Sequence, residues 1–470
     1  MDESAELSVG CTLSREDRVS AVWRKNTSRS PEGRAQDLQI ARLAIPAFAA
    51  LVCEPLFLLA DSAIVGHLGT AQLAALGIAG AALQTAVGMF IFLAYGTTSV
   101  VARGVGAGTR DRAIATGLDG MWLAVGIGMV VAAGAWLGTG AVVRALTPDP
   151  SVRRFAISYL HIAAWGIPAL LLMLAATGVL RGLQDTRTPL VVAVAANLVN
   201  IVLNLVFVYG LSWGITGSAA GTLMAQGGAA GALAVRVGRD ARRYGARLAP
   251  HLPGISAALA VGVPLLVRTL TLRTALLLAT YVAAAISTTS LAAHQVAFTV
   301  WTALAFALDA IAIAGQAITG RLLGAGDAMA ARAATRRMMR WGVLGGGACG
   351  VLLVLSRPLV VPAFTDDADV RALLNTVLLV VAVQQPVAGL VFVLDGVLIG
   401  AGDGRYLAGA GILTLGVFAP LALAVAAAGL DLVWLWWAFG AFLLARLTTL
   451  LWRERGDTWL VLGERRPAQC

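Results

Sequence analysis

Two carboxylates stand where a sequence rarely tolerates them. Glu54 and Asp61 lie inside the apolar run that follows Leu43, seven residues apart. Seven residues is close to two helical turns, so both side chains leave one face of a helix. The run is long enough to cross a bilayer hydrocarbon core, about 20 residues. A mid-membrane aspartate costs about 2.5–3.5 kcal/mol on insertion scales, so its face must look into protein or a wet cavity. Such a carboxyl can tie helices together as a neutral hydrogen-bonding group, or it can exchange a proton for a cation beside a cavity; we favour the exchange. Asn197, Asn200 and Asn204 supply a second polar stripe, at spacings of 3 and 4 on a Val/Leu/Ala helix. Interhelical hydrogen bonding accounts for such amides in lipid. Alternatively their oxygens line a pocket facing Asp61, where an acid holds a proton or releases it to accommodate a cation.

Other polar groups in apolar runs are Asp309, Asp395, Arg268 and Arg273. They can face a cavity, or opposite charges can pair in the interior, which would make them structural. His67 and His294 sit near span ends with no second histidine at ligand spacing, so no metal site is expected. No nucleophile–His–acid set appears, so the chain is not expected to be an enzyme. Arg103-Gly-Val-Gly-Ala-Gly108 resembles a phosphate loop only superficially, lacking the strand–loop–helix context. It reads better as a helix end, with glycines for termination and Arg103 facing lipid headgroups. Cys11, Cys53, Cys349 and Cys470 form neither a disulfide framework nor a metal spacing.

The elements that must position these residues are helices in a membrane. Of 470 residues 59% are hydrophobic and only 13% charged, with mean hydropathy +0.81; soluble domains carry nearer a quarter charged residues. The net charge of +10 could suggest nucleic acid, but the basic residues lie between apolar runs, as membrane topology requires. Apolar runs near 40–66, 72–101, 113–141, 156–180, 188–212 and 216–237 are followed by six more near 255–284, 290–319, 336–356, 373–399, 405–429 and 431–451. The expected organisation is a disordered cytoplasmic tail (1–37), an N-lobe (38–237), a basic connector (238–254), a C-lobe (255–452) and a second tail (453–470). With the N-terminus inside, 28 basic residues fall on inner segments and 5 on outer ones. The positive-inside rule then places both termini in the cytoplasm.

The halves repeat at one offset of 218 residues. Pro46 pairs with Pro264, Arg103 with Arg321, Gly106-Ala-Gly108 with Gly324-Ala-Gly326, and Thr147 with Thr365. Further on, Pro168 pairs with Pro386, Gly182 with Gly400, and Asp185 with Asp403. Six spans per half put both halves in the same orientation, so the chain reads as an all-α protein of twelve transmembrane helices in two parallel six-helix repeats around a central cleft. Alternating-access carriers use such duplications.

The motifs Pro46…Glu54-Pro55…Asp61-Ser-Ala…Val-Gly-His-Leu-Gly69, Leu180-Arg-Gly-Leu-Gln-Asp185…Pro189…Asn200-Ile-Val-Leu-Asn204, Leu291-Ala-Ala-His-Gln295 and Leu394-Asp-Gly-Val-Leu-Ile-Gly400 resemble the multidrug and toxic compound extrusion (MATE) family. Together with Asp309, the last two look like its DinF-like branch. The resemblance covers about residues 38–452. It implies two six-helix bundles forming a V, and cation-coupled export of bulky amphipathic or cationic small molecules. It assigns coupling to Asp61, Asn200 and the Asn204 position, where many relatives carry an aspartate, and helix bending to Pro46. Glu54, Asn197, Asp309, Asp395 and Arg268 remain candidate cavity residues. No cofactor is expected beyond a coupling ion, H+ or Na+, and the expected setting is the plasma membrane of a bacterium, as a monomer in the lipid bilayer. A lipid-linked precursor flippase of the same superfamily is the alternative carrier reading; a membrane-embedded enzyme or receptor is opposed by the repeat.

Overall fold

The computed structural model describes residues 31–464. It places the chain up to Arg42 and the chain from Leu43 onward in separate units. Most of the segment expected as an N-terminal tail, residues 1–30, lies outside the described residues; the helix is already under way from Pro31. Twelve long helices follow one another: α1 (Pro31–Gly66), α2 (Thr70–Gly106), α3 (Arg110–Leu146), α4 (Pro150–Gly182), α5 (Arg187–Gly210), α6 (Ile215–Tyr244), α7 (Leu252–Ile286), α8 (Thr288–Gly324), α9 (Ala328–Phe364), α10 (Ala368–Gly400), α11 (Gly404–Ala427) and α12 (Leu432–Arg455). Eleven are long and apolar enough to cross a membrane. The twelfth, α6, is the least apolar, because its glycines, Gln226 and terminal arginines dilute it. Among the described residues there is no strand. Short 3-10 turns interrupt α2 at Met89–Ile91 and α4 at Ala164–Gly166, and α5 ends in a π-turn at Val206–Gly210.

The 218-residue repeat is physical as well as textual. Asp149 caps α4 by accepting from the Ser151 and Val152 amides, and Asp367 caps α10 by accepting from those of Asp369 and Val370. The preceding threonine hydroxyls, Thr147 and Thr365, each accept from the capping residue's own amide, at 3.3 and 3.2 Å. Inside the lobes, a Cβ on Gly178 would lie 2.4 Å from the Ala94 carbonyl oxygen, and one on Gly396 would lie 2.3 Å from that of Ala312. Helices α2 and α4 thus touch backbone to backbone as α8 and α10 do, the small-residue contact that lets helices pack in lipid.

The connector is shorter than the sequence suggested. Helix α6 runs on to Tyr244, Gly245 closes it with a φ of 70°, and α7 starts at Leu252. What lies between is pinned to α3: Asp119, buried, accepts from Arg247 Nη2 at 3.2 Å and from the His251 amide at 3.1 Å. We call the end of the bundle bearing this connector the basic end. There the lobes meet on α2 and α8. A Cβ on Gly106 would lie 1.9 Å from the Arg321 carbonyl oxygen, and one on Gly324 would lie 2.0 Å from that of Arg103. These two contacts are each other's image under the repeat.

The glycine motif behaves as a helix end, with Gly108 and Gly326 at φ 81° and 80°. Arg103 does not face headgroups as expected. It is 4% exposed and donates to the backbone carbonyls of Ala401, Val461 and Gly463. The second tail is also not free over its first part: helix ends at Arg455, and 456–464 are packed, with Trp459 fully buried.

Candidate functional site

Helix α1 carries Asp61 into the N-lobe interior, where it is 3% exposed. Two donors converge on one carboxylate oxygen: Ser218 Oγ of α6 at 2.7 Å and Asn204 Nδ2 of α5 at 2.8 Å, both to Oδ1. The network continues from Asn204 Nδ2 to Asn200 Oδ1 (3.1 Å) and from Asn200 Nδ2 to Thr222 Oγ1 (3.0 Å). The Tyr159 hydroxyl of α4 reaches Ser218 and Thr222. Asn200 and Asn204 are 2% and 0% exposed, so the polar stripe on α5 turns inward as its spacing implied. Small residues make room for it. A Cβ on Gly221 would stand 2.2 Å from Asn204 Oδ1, so the amide rests against the bare backbone of α6.

The remaining amide parts company with this network. Asn197 donates to the Cys53 carbonyl at 2.9 Å, tying α5 to α1 one step away from Asp61. Glu54, although on the same face, lies exposed and pairs with Gln84 of α2, with Arg273 of α7 among its electrostatic neighbours. Pro46 and Pro55 both lie within continuous α1. Tyr209, in the π-turn beyond Asn204, donates to the Ile64 carbonyl at 2.6 Å and holds the end of α5 on α1.

A second polar cluster lies in the C-lobe. Asp395 of α10 is clamped by two guanidinium groups, Arg268 of α7 and Arg446 of α12. Arg446 Nη2 reaches both carboxylate oxygens at 2.8 Å. Arg446 counts with the inner charges although it falls within the apolar run 431–451; it lies inside α12, 3% exposed. A cavity of about 10 Å³, room for one water molecule, is lined by Tyr95, Arg268, Asp309, Gln316 and Asp395. Asp309 has Arg181 and Arg268 as electrostatic neighbours. Across the lobes Gln316 donates to the Tyr95 carbonyl at 2.6 Å, and Arg268 stacks over the Tyr95 ring at 5.8 Å. Both Asp395 oxygens are taken up by the two guanidinium groups, while Arg268 Nε and Arg446 Nη1 are buried without a hydrogen-bond partner among the described residues. Asp309 faces the cavity beside this cluster.

The two sites are not copies. The repeat offset carries Asp61 to Ala279, Asn200 to Phe418, Asn204 to Ala422 and Ser218 to Trp436. All four of those residues belong to the apolar core of the C-lobe. In reverse, Arg268, Asp395 and Arg446 fall on Ala50, Thr177 and Gly228. Duplicated architecture therefore carries one acid–amide pocket, in the N-lobe, and one charge cluster, in the C-lobe. Sequence reasoning overlooked Ser218, Thr222 and Tyr159. The spacing of four between Ser218 and Thr222, on an otherwise Gly/Ala-rich face, was the available signal.

The MatE family model matches residues 46–206 and again 264–425, two stretches whose starts differ by the same 218 residues. The chain belongs to the MatE family of transporters. Protein DETOXIFICATION 44, chloroplastic, of Arabidopsis thaliana is 31% identical over 442 residues, covering 90% of this chain and 84% of its own. DNA damage-inducible protein F of Escherichia coli is 28% identical over 447 residues, covering 90% and 94%. Among solved structures, the Vibrio cholerae MATE transporter VcmN in the bent form superposes with a TM-score of 0.82 at 19% identity, over 91% of this chain and 99% of that one. A MOP superfamily transporter from Pyrococcus furiosus, described as having a binding pocket of reverse polarity, gives 0.80 at 22% identity, over 89% and 95%. The protein is a multi-pass membrane transporter of the multidrug and toxic compound family, not an enzyme.

Proposed function

We propose that this MatE transporter is a proton-coupled secondary antiporter that exports bulky amphipathic or cationic compounds by alternating access. The observation that carries the reading is the buried Asp61 carboxylate with both of its donors on Oδ1. The second oxygen can take a proton without displacing Ser218 or Asn204. Because Asn204 is an amide, Asp61 is the one carboxyl in this network, and one proton per cycle is the stoichiometry that follows. In the cycle, Asp61 gives up its proton to the cytoplasm and substrate enters the cleft from that side. The lobes then rock. Protonation from outside removes the negative charge, the α1 segment beyond Pro46 shifts, and substrate leaves. Relatives named for detoxification, and a neighbour described as a multidrug resistance transporter in an outward-facing conformation, support the substrate class.

The same reading puts the protein in the plasma membrane as a monomer, with lobes at 38–237 and 255–452 and the basic end in the cytoplasm, because that end carries most of the arginines. A tag inserted after Arg243 should stay unlabelled by an impermeant reagent in intact cells; labelling from outside would reverse the orientation.

The coupling test is dye efflux from proteoliposomes with proton and sodium gradients imposed separately. Efflux should follow the proton gradient. Asp61→Asn keeps the shape and the hydrogen-bonding capacity but fixes the neutral form, so it should insert and fold normally and lose gradient-driven efflux. Concentration of dye by well-folded Asp61→Asn protein under a proton gradient alone would refute the coupling role.

A further inference from the structure

We propose that the segment Gly456–Glu464 is a latch that holds the basic end of the transporter closed and must release Arg103 before the lobes can part there. The segment leaves α12 and docks on the C-lobe. Trp459 is fully buried and its indole Nε1 donates to the Glu454 carbonyl at 2.9 Å. Asp457 pairs with Arg332 of α9, which also donates to the Gly456 carbonyl at 3.2 Å. The Gly463 amide donates to the Leu323 carbonyl, at the end of α8, at 3.0 Å. Every one of these partners belongs to the C-lobe or to the segment's own stem.

The N-lobe reaches over with one buried cation and one at the rim. Arg103, in the last turn of α2, donates through Nη2 to the Val461 carbonyl at 2.8 Å and to the Ala401 carbonyl at 3.0 Å, and through Nη1 to the Gly463 carbonyl at 3.2 Å. At the rim, Arg112 of α3 faces Glu464 at 3.9 Å. A guanidinium offers donors in a fixed planar fork, so one side chain can gather carbonyls from separate segments. Here it gathers two segments of the opposite lobe while only 4% exposed. Parting the lobes at this end would break these three charge-assisted hydrogen bonds and exchange them for water, so the closed arrangement keeps their net contribution.

The latch bonds Arg103 and Leu323, residues at or next to the backbone contacts of Gly106 with Arg321 and Gly324 with Arg103. Those contacts let the lobes touch closely, but they involve no charge and no directional bond. The latch supplies the directional hold. The inference rests on the alternating-access reading, since it assigns the segment a part in that cycle.

The test measures the basic end directly. In a chain with Cys11, Cys53, Cys349 and Cys470 replaced by Ser, spin labels are placed at Asp111→Cys (first turn of α3) and Met329→Cys (first turn of α9), both exposed. Distances are recorded in lipid nanodiscs with and without a fluorescent cation. Two variants are compared with the intact chain: truncation after Arg455, which removes the latch, and Arg103→Met, which leaves the latch docked on its own lobe and removes only the clasp. Both should raise the ratio of open to closed conformers about tenfold, the equivalent of about 1.4 kcal/mol or one net hydrogen bond. Truncated protein that fails to elute as a folded species is replaced as evidence by Arg103→Met. If both folded variants keep the distances of the intact chain while the cation does open that chain, the latch is wrong and the rocking cycle stands. If nothing opens the pair in any chain, the rocking cycle fails and the latch with it.

Discussion

Replacing Gly221 with alanine puts a methyl group where the Asn204 amide rests. The new Cβ would lie 2.2 Å from Asn204 Oδ1 and 3.2 Å from its backbone nitrogen, so the side chain has to leave. It then gives up its donation to Asp61 Oδ1 at 2.8 Å and to Asn200 Oδ1 at 3.1 Å. A hydrogen bond to a charged group contributes about 1.5–3 kcal/mol and a neutral one about 1 kcal/mol. Against this, alanine in a helix gains about 0.5–1 kcal/mol over glycine. The net expectation is a loss of about 2–3 kcal/mol, concentrated on the coupling pocket. Gly227 on the same helix is the matched control, because a Cβ there meets nothing within 4 Å; only the helix gain applies, so Gly227→Ala should be neutral or slightly stabilising. Thermal unfolding in detergent, followed by tryptophan fluorescence, should lower the midpoint of Gly221→Ala and leave that of Gly227→Ala unchanged or slightly raised. Proton-driven dye efflux should fall for Gly221→Ala alone. Equal midpoints and equal efflux for the two variants would refute the claim that α6 backbone positions the Asn204 amide.

Removing the carboxylate from the C-lobe cluster should be more damaging than removing the one at Asp61. Asp395→Asn leaves Arg268 and Arg446 buried without their counter-charge, a loss of about 3–5 kcal/mol, and should show as poor recovery of folded protein; normal yield and midpoint would mean that the cluster is not structural. At the N-lobe pocket, Asn204→Asp adds a second acid where Asp61 and Asn200 already meet. Efflux should persist with an altered pH dependence, and an unchanged profile at full activity would remove Asn204 from the coupling scheme.

What the sequence determined by itself was the architecture. Twelve apolar stretches and a single offset of 218 residues dictate twelve helices in two like-oriented halves, because a span in lipid must satisfy its backbone internally and leaves its length legible in the composition. The inward turn of Asn200 and Asn204 was legible too, since residues three and four apart share a helix face, while their grouping with Asp61 was implied by the family resemblance. Contacts between distant helices were decided only by the tertiary structure. Arg446 falls within the apolar run 431–451, but nothing there shows that it clamps Asp395, 51 residues away in sequence. Arg103 likewise looked like one of many basic residues at a helix end, and its acceptors at Val461 and Gly463 lie some 360 residues downstream. The repeat also concealed a difference. At the same offset, the counterparts of Asp61, Asn200, Asn204 and Ser218 are Ala279, Phe418, Ala422 and Trp436, packed into an apolar core. Periodicity fixes which face of a helix turns inward. Whether that face meets an acid or an aromatic ring is fixed by the neighbours the fold brings against it.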